Sequence, residues 1–241
     1  MDEAKKFAEM LKKREAVIFT GAGMSTESGL QDFRSKTGLW ANIDPAALAS
    51  VNALENDYEQ FLSFYVSRLL VPESVKPNIG HELVAQWERD GFIKGLITQN
   101  VDRLHQAAGS VNVAELHGSL EPVRCHRCGT HMPKDDFIQG KRCPCGGRLR
   151  PGVVLFGEML PESEIRKAES WSADCNLFVV LGSSLAVSPA NYFPQKAKYA
   201  GANLVIVNMD ETPFDHIADL VVHESIGKFL SEVQEELRIE N

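Results

Sequence analysis

Apolar positions recur along the chain in two periods. Ala4, Phe7, Ala8 and Leu11 are spaced by three and four, which puts them on one face of a helix. The run 16–20, Ala-Val-Ile-Phe-Thr, is apolar almost throughout and too short for a helix, so it predicts a buried strand. The stretch 44–70 reads as largely helical. Asp44 can cap it with Pro45 in the first turn, and Tyr58, Phe61, Leu62, Tyr65 and Leu69 share a face before Pro72 ends it. Asn78 opens another helix, carrying Leu83, Val84 and Trp87, which Gly91 stops. Short apolar runs at 93–98, 111–116, 153–156, 177–181, 204–207 and 220–222 predict further strands. Helices fill the gaps: one ending at Gly109, one over 161–172, one from Ser188-Pro189 to Gly201, and a last one capped by Ser225. Strands that alternate with helices in this way predict an α/β fold with a parallel sheet.

The small, polar and charged motifs all follow apolar strands. They are Thr20-Gly21-Ala22-Gly23, Thr98-Gln99-Asn100-Val101-Asp102, Leu116-His117-Gly118, Gly182-Ser183-Ser184 and Asn208-Met209-Asp210. An open parallel sheet binds its ligands beyond the carboxyl ends of its strands, so five segments point at one crevice.

The Gly21-Ala22-Gly23 turn lets backbone N–H groups approach a pyrophosphate with no side chain in the way. A standard dinucleotide fingerprint has a third Gly or Ala where this chain has Thr26, and a tight structural turn would look the same. Phe33 and Arg34 follow closely enough to fold over a ligand and exclude water; a solvated loop is the plain alternative. No acidic residue lies about 20 positions on to hold a ribose. Asn208 or Asp210 can take that role instead, with Ser183 and Ser184 offering hydroxyls and amides to phosphate oxygens. Gln99, Asn100 and Asp102 suit recognition of an amide, or simply cap a helix. His117 is the histidine at a strand end in the crevice, and imidazole is a general base near neutrality.

Four of the five cysteines lie within 21 residues: Cys125, Cys128, Cys143 and Cys145. Two close pairs separated by 14 residues predict a tetrahedral zinc site rather than disulfides. The second pair has one intervening residue instead of the usual two, which leaves His126 and His131 as substitute ligands. Four ligands leave no open position, so the metal is expected to be structural. Cys175, before a buried strand, reads as a core residue.

Composition narrows the partners. The chain has 241 residues, of which 44% are apolar, and a net charge of −8. That argues against nucleic acid and leaves room for a basic, lysine-containing peptide. No run approaches the ~20 apolar residues of a membrane span, and the first residues mix acids, bases and apolar groups unlike a secretory leader. We therefore expect a cytoplasmic protein, and with no sustained heptad or unexplained apolar stripe, a monomer.

The segments GAGMSTESGLQDFRS, TQNVDRLHQAAG, ELHGSL, the cysteine quartet, RPGVVLFGE, GSSLAVSPA and VNMDETPFD resemble, in order, the motifs of the sirtuins, NAD-dependent protein lysine deacylases. The resemblance covers 16–226. Gln31, where the family usually has Pro, and the short Cys143–Cys145 spacing depart from it. It implies a Rossmann-like lobe (1–34, 79–120 and 151–241) and a small lobe made of a helical module (35–78) and a zinc module (121–150), with NAD between them. It further implies roles for individual residues. Gly21, Ala22 and Gly23 would hold the pyrophosphate beside Thr26 and Arg34, and Phe33 would shield the reacting ribose carbon. Gln99 and Asn100 would line the nicotinamide ribose pocket, and Val101 and Asp102 would receive nicotinamide. Gly182, Ser183, Ser184, Asn208, Asp210 and Ile226 would serve the adenosine side. Val153, Val154, Leu155, Phe156, Gly157 and Glu158 would pair with the substrate backbone as an added strand. His117 would be the general base, NAD would be consumed, and the products would be nicotinamide, free lysine and O-acetyl-ADP-ribose.

Tyr65 and Arg68, three apart on one helix, resemble the pair by which one sirtuin class binds succinyl and malonyl lysine. That class carries Ala after the Phe-Arg of the cofactor loop. This chain has Ser35, and Asp32 matches the deacetylases, so deacetylation is expected to dominate.

Overall fold

The computed structural model describes residues 2–32, 44–70 and 75–239. In chain order the elements begin with α1 (Glu3–Leu11), β1 (Ala16–Thr20) and a 3-10 turn (Ala22–Ser28). Next come α2 (Pro45–Leu48), α3 (Val51–Asn56), α4 (Tyr58–Leu69), α5 (Ile79–Arg89), β2 (Ile93–Thr98), α6 (Leu104–Ala108) and β3 (Val113–Glu115). A small antiparallel unit follows: β4 (Val123–Cys125), β5 (His131–Met132), α7 (Lys134–Ile138) and β6 (Leu149–Pro151). The chain finishes with α8 (Glu162–Ala173), β7 (Leu177–Leu181), α9 (Tyr192–Tyr199), β8 (Asn203–Val207), β9 (Leu220–Val222) and α10 (Ile226–Ile239).

Six strands form one parallel sheet in the order β3-β2-β1-β7-β8-β9. Side chains alternate across its two faces, as the pleat requires. Ala16, Ile18, Leu177, Val179, Leu181, Val205 and Val207 pack on one side with residues of α1, α5 and α10. Val17, Phe19, Phe178, Val180, Leu204 and Ile206 pack on the other with residues of α8 and α9. Both faces are thus covered, which is why these strands read as unbroken apolar runs. On the first face Phe7 stacks on Phe229 at 5.9 Å and meets Trp87 edge-on at 6.1 Å. The buried indole N–H of Trp87 donates to Gln234 Oε1 at 2.6 Å, so burying it leaves no polar group unpaired.

A third core joins the two inserted units. Ala53, Leu54, Phe61 and Tyr65 from α3 and α4 pack with Val123, Phe137 and Leu149 from the small sheet unit. This is the Rossmann-like lobe with a small second lobe that the sequence implies.

Four expectations need correction. The run 153–156 is no strand of either sheet. Its backbone bonds go to loops instead, with Val154 N–H on His117 O at 2.8 Å and Phe156 N–H on Ala49 O at 2.9 Å. Val153 and Leu155 are buried in the small-lobe core, an alternation that periodicity cannot tell from a strand. The helix expected from Ser188 begins at Tyr192, because 188–191 form a turn held by Asn191 Nδ2 donating to Leu185 O at 3.1 Å. The strand expected over 111–116 shortens to Val113–Glu115. Ser225 precedes α10, but the first turn is capped by a distant carboxylate: Gly227 N–H donates to Glu27 Oε1 at 2.9 Å.

Candidate active site and metal centre

The turns after β1 and β7 interlock. Gly21 N–H donates to Leu181 O at 3.1 Å and Gly23 N–H to Gly182 O at 2.9 Å. Gly182 has φ +62°, and a Cβ there would lie 2.3 Å from Met24 N. A Cβ on Gly23 would come within 2.8 Å of Gly182 Cα. The glycines therefore make room for each other's backbone as well as for a ligand.

Above this junction opens a cleft of about 770 Å³ at the carboxyl ends of the strands. Gly21, Ala22, Gly23, Thr26, Gln99, Asn100, His117, Gly182, Ser183, Ser184, Asn208, Asp210 and Ile226, all expected in a site, line it together. Glu27, Val187, Met209, Glu224 and Ser225 also line it and were not anticipated. The amide N–H groups of Ala22, Ser183 and Ser184 have no protein acceptor among the described residues. Unpaired backbone donors at turns between strand and helix suit the phosphates of a dinucleotide, so these residues fit NAD. At the far end Asn208 is fixed by Nδ2 donating to Asp210 O at 2.7 Å, and its own carbonyl accepts from His223 Nδ1 at 2.8 Å. Phe33 and Arg34 lie outside the described residues.

The loop after β2 is braced by side chains. Gln99 Nε2 donates to Ser183 Oγ at 2.8 Å, and Asn100 Nδ2 to Gly21 O at 3.0 Å. Ser25 receives a second Asn100 bond at 3.2 Å and donates to Asp102 Oδ2 at 2.7 Å. Asp102 Oδ1 accepts Leu104 N–H at 2.9 Å, so the plain helix-capping reading of Asp102 is realised. Asp102 and Val101 are not among the residues that line the cleft, and Val101 packs on the small-lobe core. Ser25 was also missed from the sequence; a hydroxyl two positions after the glycine turn was its available signal.

His117 reaches the cleft from the end of β3. Its Nδ1 lies 3.0 Å from Gln99 O. A carbonyl only accepts, so Nδ1 carries the proton and Nε2 carries the lone pair. Gly118, with φ +66°, follows it; a Cβ there would strike Gly152 O at 2.3 Å. The glycine lets the His117 loop lie directly on the segment leading into 153–158.

That segment places Val153 and Leu155 inward and leaves Phe156 44% exposed. The side chain of Glu158 turns inward to the fully buried Arg150. Burial pushes the Glu158 carboxyl up, but the Arg150 guanidinium and the Leu155 N–H outweigh it and hold the carboxyl below its usual range.

The four cysteine sulfurs cluster within 4.8 Å of one another, with Cys125–Cys145 and Cys128–Cys145 at 3.5 Å and Cys128–Cys143 at 3.6 Å. Zn–S bonds of ~2.3 Å in a tetrahedron require S···S edges of ~3.8 Å, so the donor set fits zinc. A Cβ on Gly147 would lie 2.6 Å from Cys125 Sγ, so only glycine lets the backbone pass this close. Neither substitute ligand is used: His126 Nε2 faces Glu55 Oε1 at 3.5 Å, and the cluster contains cysteines alone among the described residues.

The Sir2 family model matches residues 21–189. The chain belongs to the Sir2 family. It is 52% identical to NAD-dependent protein deacetylase 1 of Geobacillus kaustophilus, over 93% of this chain and 94% of that protein. It is 49% identical to an NAD-dependent protein deacetylase of Oceanobacillus iheyensis, over 91% and 94%. Among solved structures, a Sir2 protein with a p53 peptide and NAD+ superposes with a TM-score of 0.90 at 39% identity, covering 99% of this chain and all of that one.

Two further features of this Sir2 protein bear on its site. Tyr65 is buried and packs on Phe61 at 4.7 Å and Phe64 at 4.9 Å. Arg68 lies over the Phe64 ring at 5.7 Å; burial lowers its pKa while Tyr65 and Asp102 raise it. Beneath the cleft, His105 Nε2 lies 3.1 Å from Thr20 Oγ1, which donates to Thr98 Oγ1 at 2.8 Å. Thr98 Oγ1 in turn accepts Asn100 N–H at 3.0 Å. His81 packs its ring 4.7 Å from that of His105 and accepts Asn78 N–H on Nδ1 at 3.3 Å. Burial drives both imidazoles towards the neutral form: His81 down to about 4, and His105 well below its usual value, with His81 adding to the shift.

Proposed function

We infer that this Sir2 protein is an NAD-dependent protein lysine deacetylase, which removes acetyl groups from lysine side chains and releases nicotinamide and O-acetyl-ADP-ribose. The observation that carries this is the orientation of His117. With Nδ1–H held on Gln99 O, the basic Nε2 serves the same cleft that the glycine turn serves.

NAD, as co-substrate, supplies the ribose carbon that receives the acetyl oxygen when nicotinamide leaves. The chain's own residues do the rest. Ala22, Ser183 and Ser184 offer N–H groups to the pyrophosphate, and Thr26 lies beside them. Asn208, Asp210 and Ile226 hold the adenosine end. Gln99 and Asn100 set the ribose, while Val101 and Asp102 face nicotinamide. Phe33 and Arg34 exclude water over the reacting centre. His117 Nε2 accepts a proton from a ribose hydroxyl, and Gln99 O stabilises the imidazolium through Nδ1–H. Residues 153–158 pair with the substrate backbone. The zinc on Cys125, Cys128, Cys143 and Cys145 is structural, because four thiolates close its coordination sphere. Among the described residues no helix is long and apolar enough to cross a membrane, and we place the enzyme in the cytoplasm as a monomer.

The test is product identity with an acetyl-lysine peptide and NAD. Nicotinamide and O-acetyl-ADP-ribose are expected; NADH absorbance without nicotinamide would mark a dehydrogenase, and tight peptide binding without turnover a non-catalytic zinc-ribbon module. Acyl choice follows from Tyr65. Its packing on Phe61 and Phe64 favours a structural role over carboxylate recognition, so kcat/KM is expected to be higher for acetyl than for succinyl peptide. The placement of Arg68, which feels the Asp102 charge, supports the rival reading. A succinyl preference that Arg68→Met abolishes would establish it.

A further inference from the structure

Residues 151–158 present an unusual problem. Beyond Pro151, the last residue of β6, they bend and turn and join neither sheet; an isolated parallel bridge from Phe156 to Ser50 is their strand-like pairing among the described residues. Outside contacts tie down alternate residues only. Val154 N–H donates to His117 O at 2.8 Å; Phe156 N–H donates to Ala49 O at 2.9 Å, and Phe156 O accepts from Val51 N–H at 3.1 Å.

The residues between them are held from inside by one ion pair. Arg150 is 0% exposed. Its guanidinium meets Glu158 through both terminal nitrogens, with Nη2–Oε2 at 2.9 Å. The same Nη2 donates to Val153 O, and Nε donates to Pro151 O at 3.3 Å. Glu158 completes the frame: Oε2 accepts Leu155 N–H at 2.9 Å, and Glu158 N–H donates to Leu155 O at 2.9 Å. The pair therefore fixes backbone groups of Pro151, Val153 and Leu155, interleaved with the outside contacts at Val154 and Phe156. Arg150 itself is anchored, because it sits in β6 opposite Arg124 of β4.

We propose that Arg150 and Glu158 are positioning residues for the peptide substrate, a clamp that holds 153–158 in its receiving shape before a substrate strand arrives. This rests on the reading that 153–158 pairs with the acyl-lysine peptide. An added strand gains affinity from main-chain hydrogen bonds. Those bonds weaken if the receiving edge must first be ordered, since each ordered residue loses conformational entropy. The planar, forked guanidinium suits the task, because it serves a carboxylate and backbone carbonyls together in fixed directions. The clamp touches none of the residues that line the dinucleotide cleft, so its loss weakens peptide binding and spares NAD.

Two variants test this, each measured for melting temperature, zinc content, NAD affinity and peptide kinetics. Glu158→Gln breaks the ion pair; its peptide KM should rise about tenfold or more, while kcat and NAD affinity change by less than about threefold. Because breaking a buried pair also destabilises, the second variant is the double substitution Arg150→Met with Glu158→Leu. Apolar replacement of both partners commonly restores stability. It cannot restore the bonds to Val153 O and Leu155 N–H. A double variant with the wild-type melting temperature and a raised peptide KM supports the clamp. Wild-type peptide KM in that variant, or equal losses in peptide and NAD affinity, overturns it and reduces the pair to a folding role. If wild-type enzyme turned over no acetyl-lysine peptide, the functional reading would fall, and the clamp with it. Turnover by wild type with unchanged peptide KM in both variants would sink the clamp alone.

Discussion

The two neutral histidines under the cleft make stability depend on pH in a calculable way. His81 and His105 are buried, and neither can take up a proton in the folded state without placing a charge beside the other ring. In the unfolded chain an imidazole titrates near ~6.5. Folding lowers both values, so below that pH the unfolded state binds more protons than the folded one. The stabilisation is therefore fully present above pH ~6.5 and is lost as pH falls. For His81, taken from 6.5 to about 4, proton linkage gives a loss of ~2 kcal/mol between pH 7.5 and 5. His105 adds a loss of the same sign. The informative variant is His81→Gln. Glutamine keeps an acceptor for Asn78 N–H, so the capping box at the start of α5 can survive, but the side chain does not titrate. Urea unfolding at pH 7.5 and pH 5, at fixed ionic strength, gives the pH-induced loss for each protein. Groups away from the pair affect both proteins alike and cancel in the difference, whereas His105, whose shift His81 deepens, adds to it with the same sign. The variant should lose ~2 kcal/mol less than wild type, a contrast of ~4–8 °C in melting temperature for a domain of this size. Equal losses, within ~0.5 kcal/mol, would show that His81 titrates normally in the fold and that the buried-pair reasoning is wrong.

Three further outcomes follow from the geometry. His117→Ala should retain the melting temperature and NAD binding but lower turnover by about 10²-fold or more; near-normal activity would move the general base elsewhere, with His105 next in line despite its burial. Cys125→Ser or Cys145→Ser should lose zinc and stability together, read by metal analysis and thermal unfolding, and a metal-free protein with wild-type melting would refute a structural role. Gly182→Ala should cost roughly 2 kcal/mol or more in urea unfolding and weaken NAD binding, because its left-handed backbone and the 2.3 Å approach to Met24 N leave no space for a methyl group; wild-type stability in that variant would mean the turns do not interlock.

The strands β1, β2, β7 and β8 were legible because both faces of the sheet are covered, so each reads as a short apolar run. His117 and the glycine turn were legible because polar groups directly after such runs must stand at the sheet's carboxyl edge. The cysteines declared themselves by spacing. What stayed hidden depends on partners remote in sequence. Glu27 caps a helix 200 residues away, and Gly227 admits it because a Cβ there would lie 2.3 Å from Glu27 Oε2. Val153 and Leu155 are apolar for the sake of the small-lobe core, not a sheet, and local pattern carries no sign of that difference. Arg150 looks like any surface arginine until the fold buries it. Asp102 realises its plain reading as the cap of α6, and its second oxygen is bound by Ser25, a partner 77 residues away that local pattern does not announce.

The third core has a consequence for how this protein can be altered. Most of its residues come from two stretches of chain, α3–α4 on one side of β2 and the β4–β6 unit on the other, each spliced between elements of the parallel sheet, with Val153 and Leu155 added from the segment after β6. Phe61 and Tyr65 from the first stretch share one interior with Val123, Phe137 and Leu149 from the second. Neither insert has an interior of its own. A chimera that exchanged the zinc unit alone would set foreign side chains against α3 and α4, and deleting it would leave Phe61 and Leu54 facing water. The two inserts are therefore a single heritable part carried in two places, to be swapped, shortened or diversified as a pair, with Val101, Val153 and Leu155 as the seam that any exchange has to match.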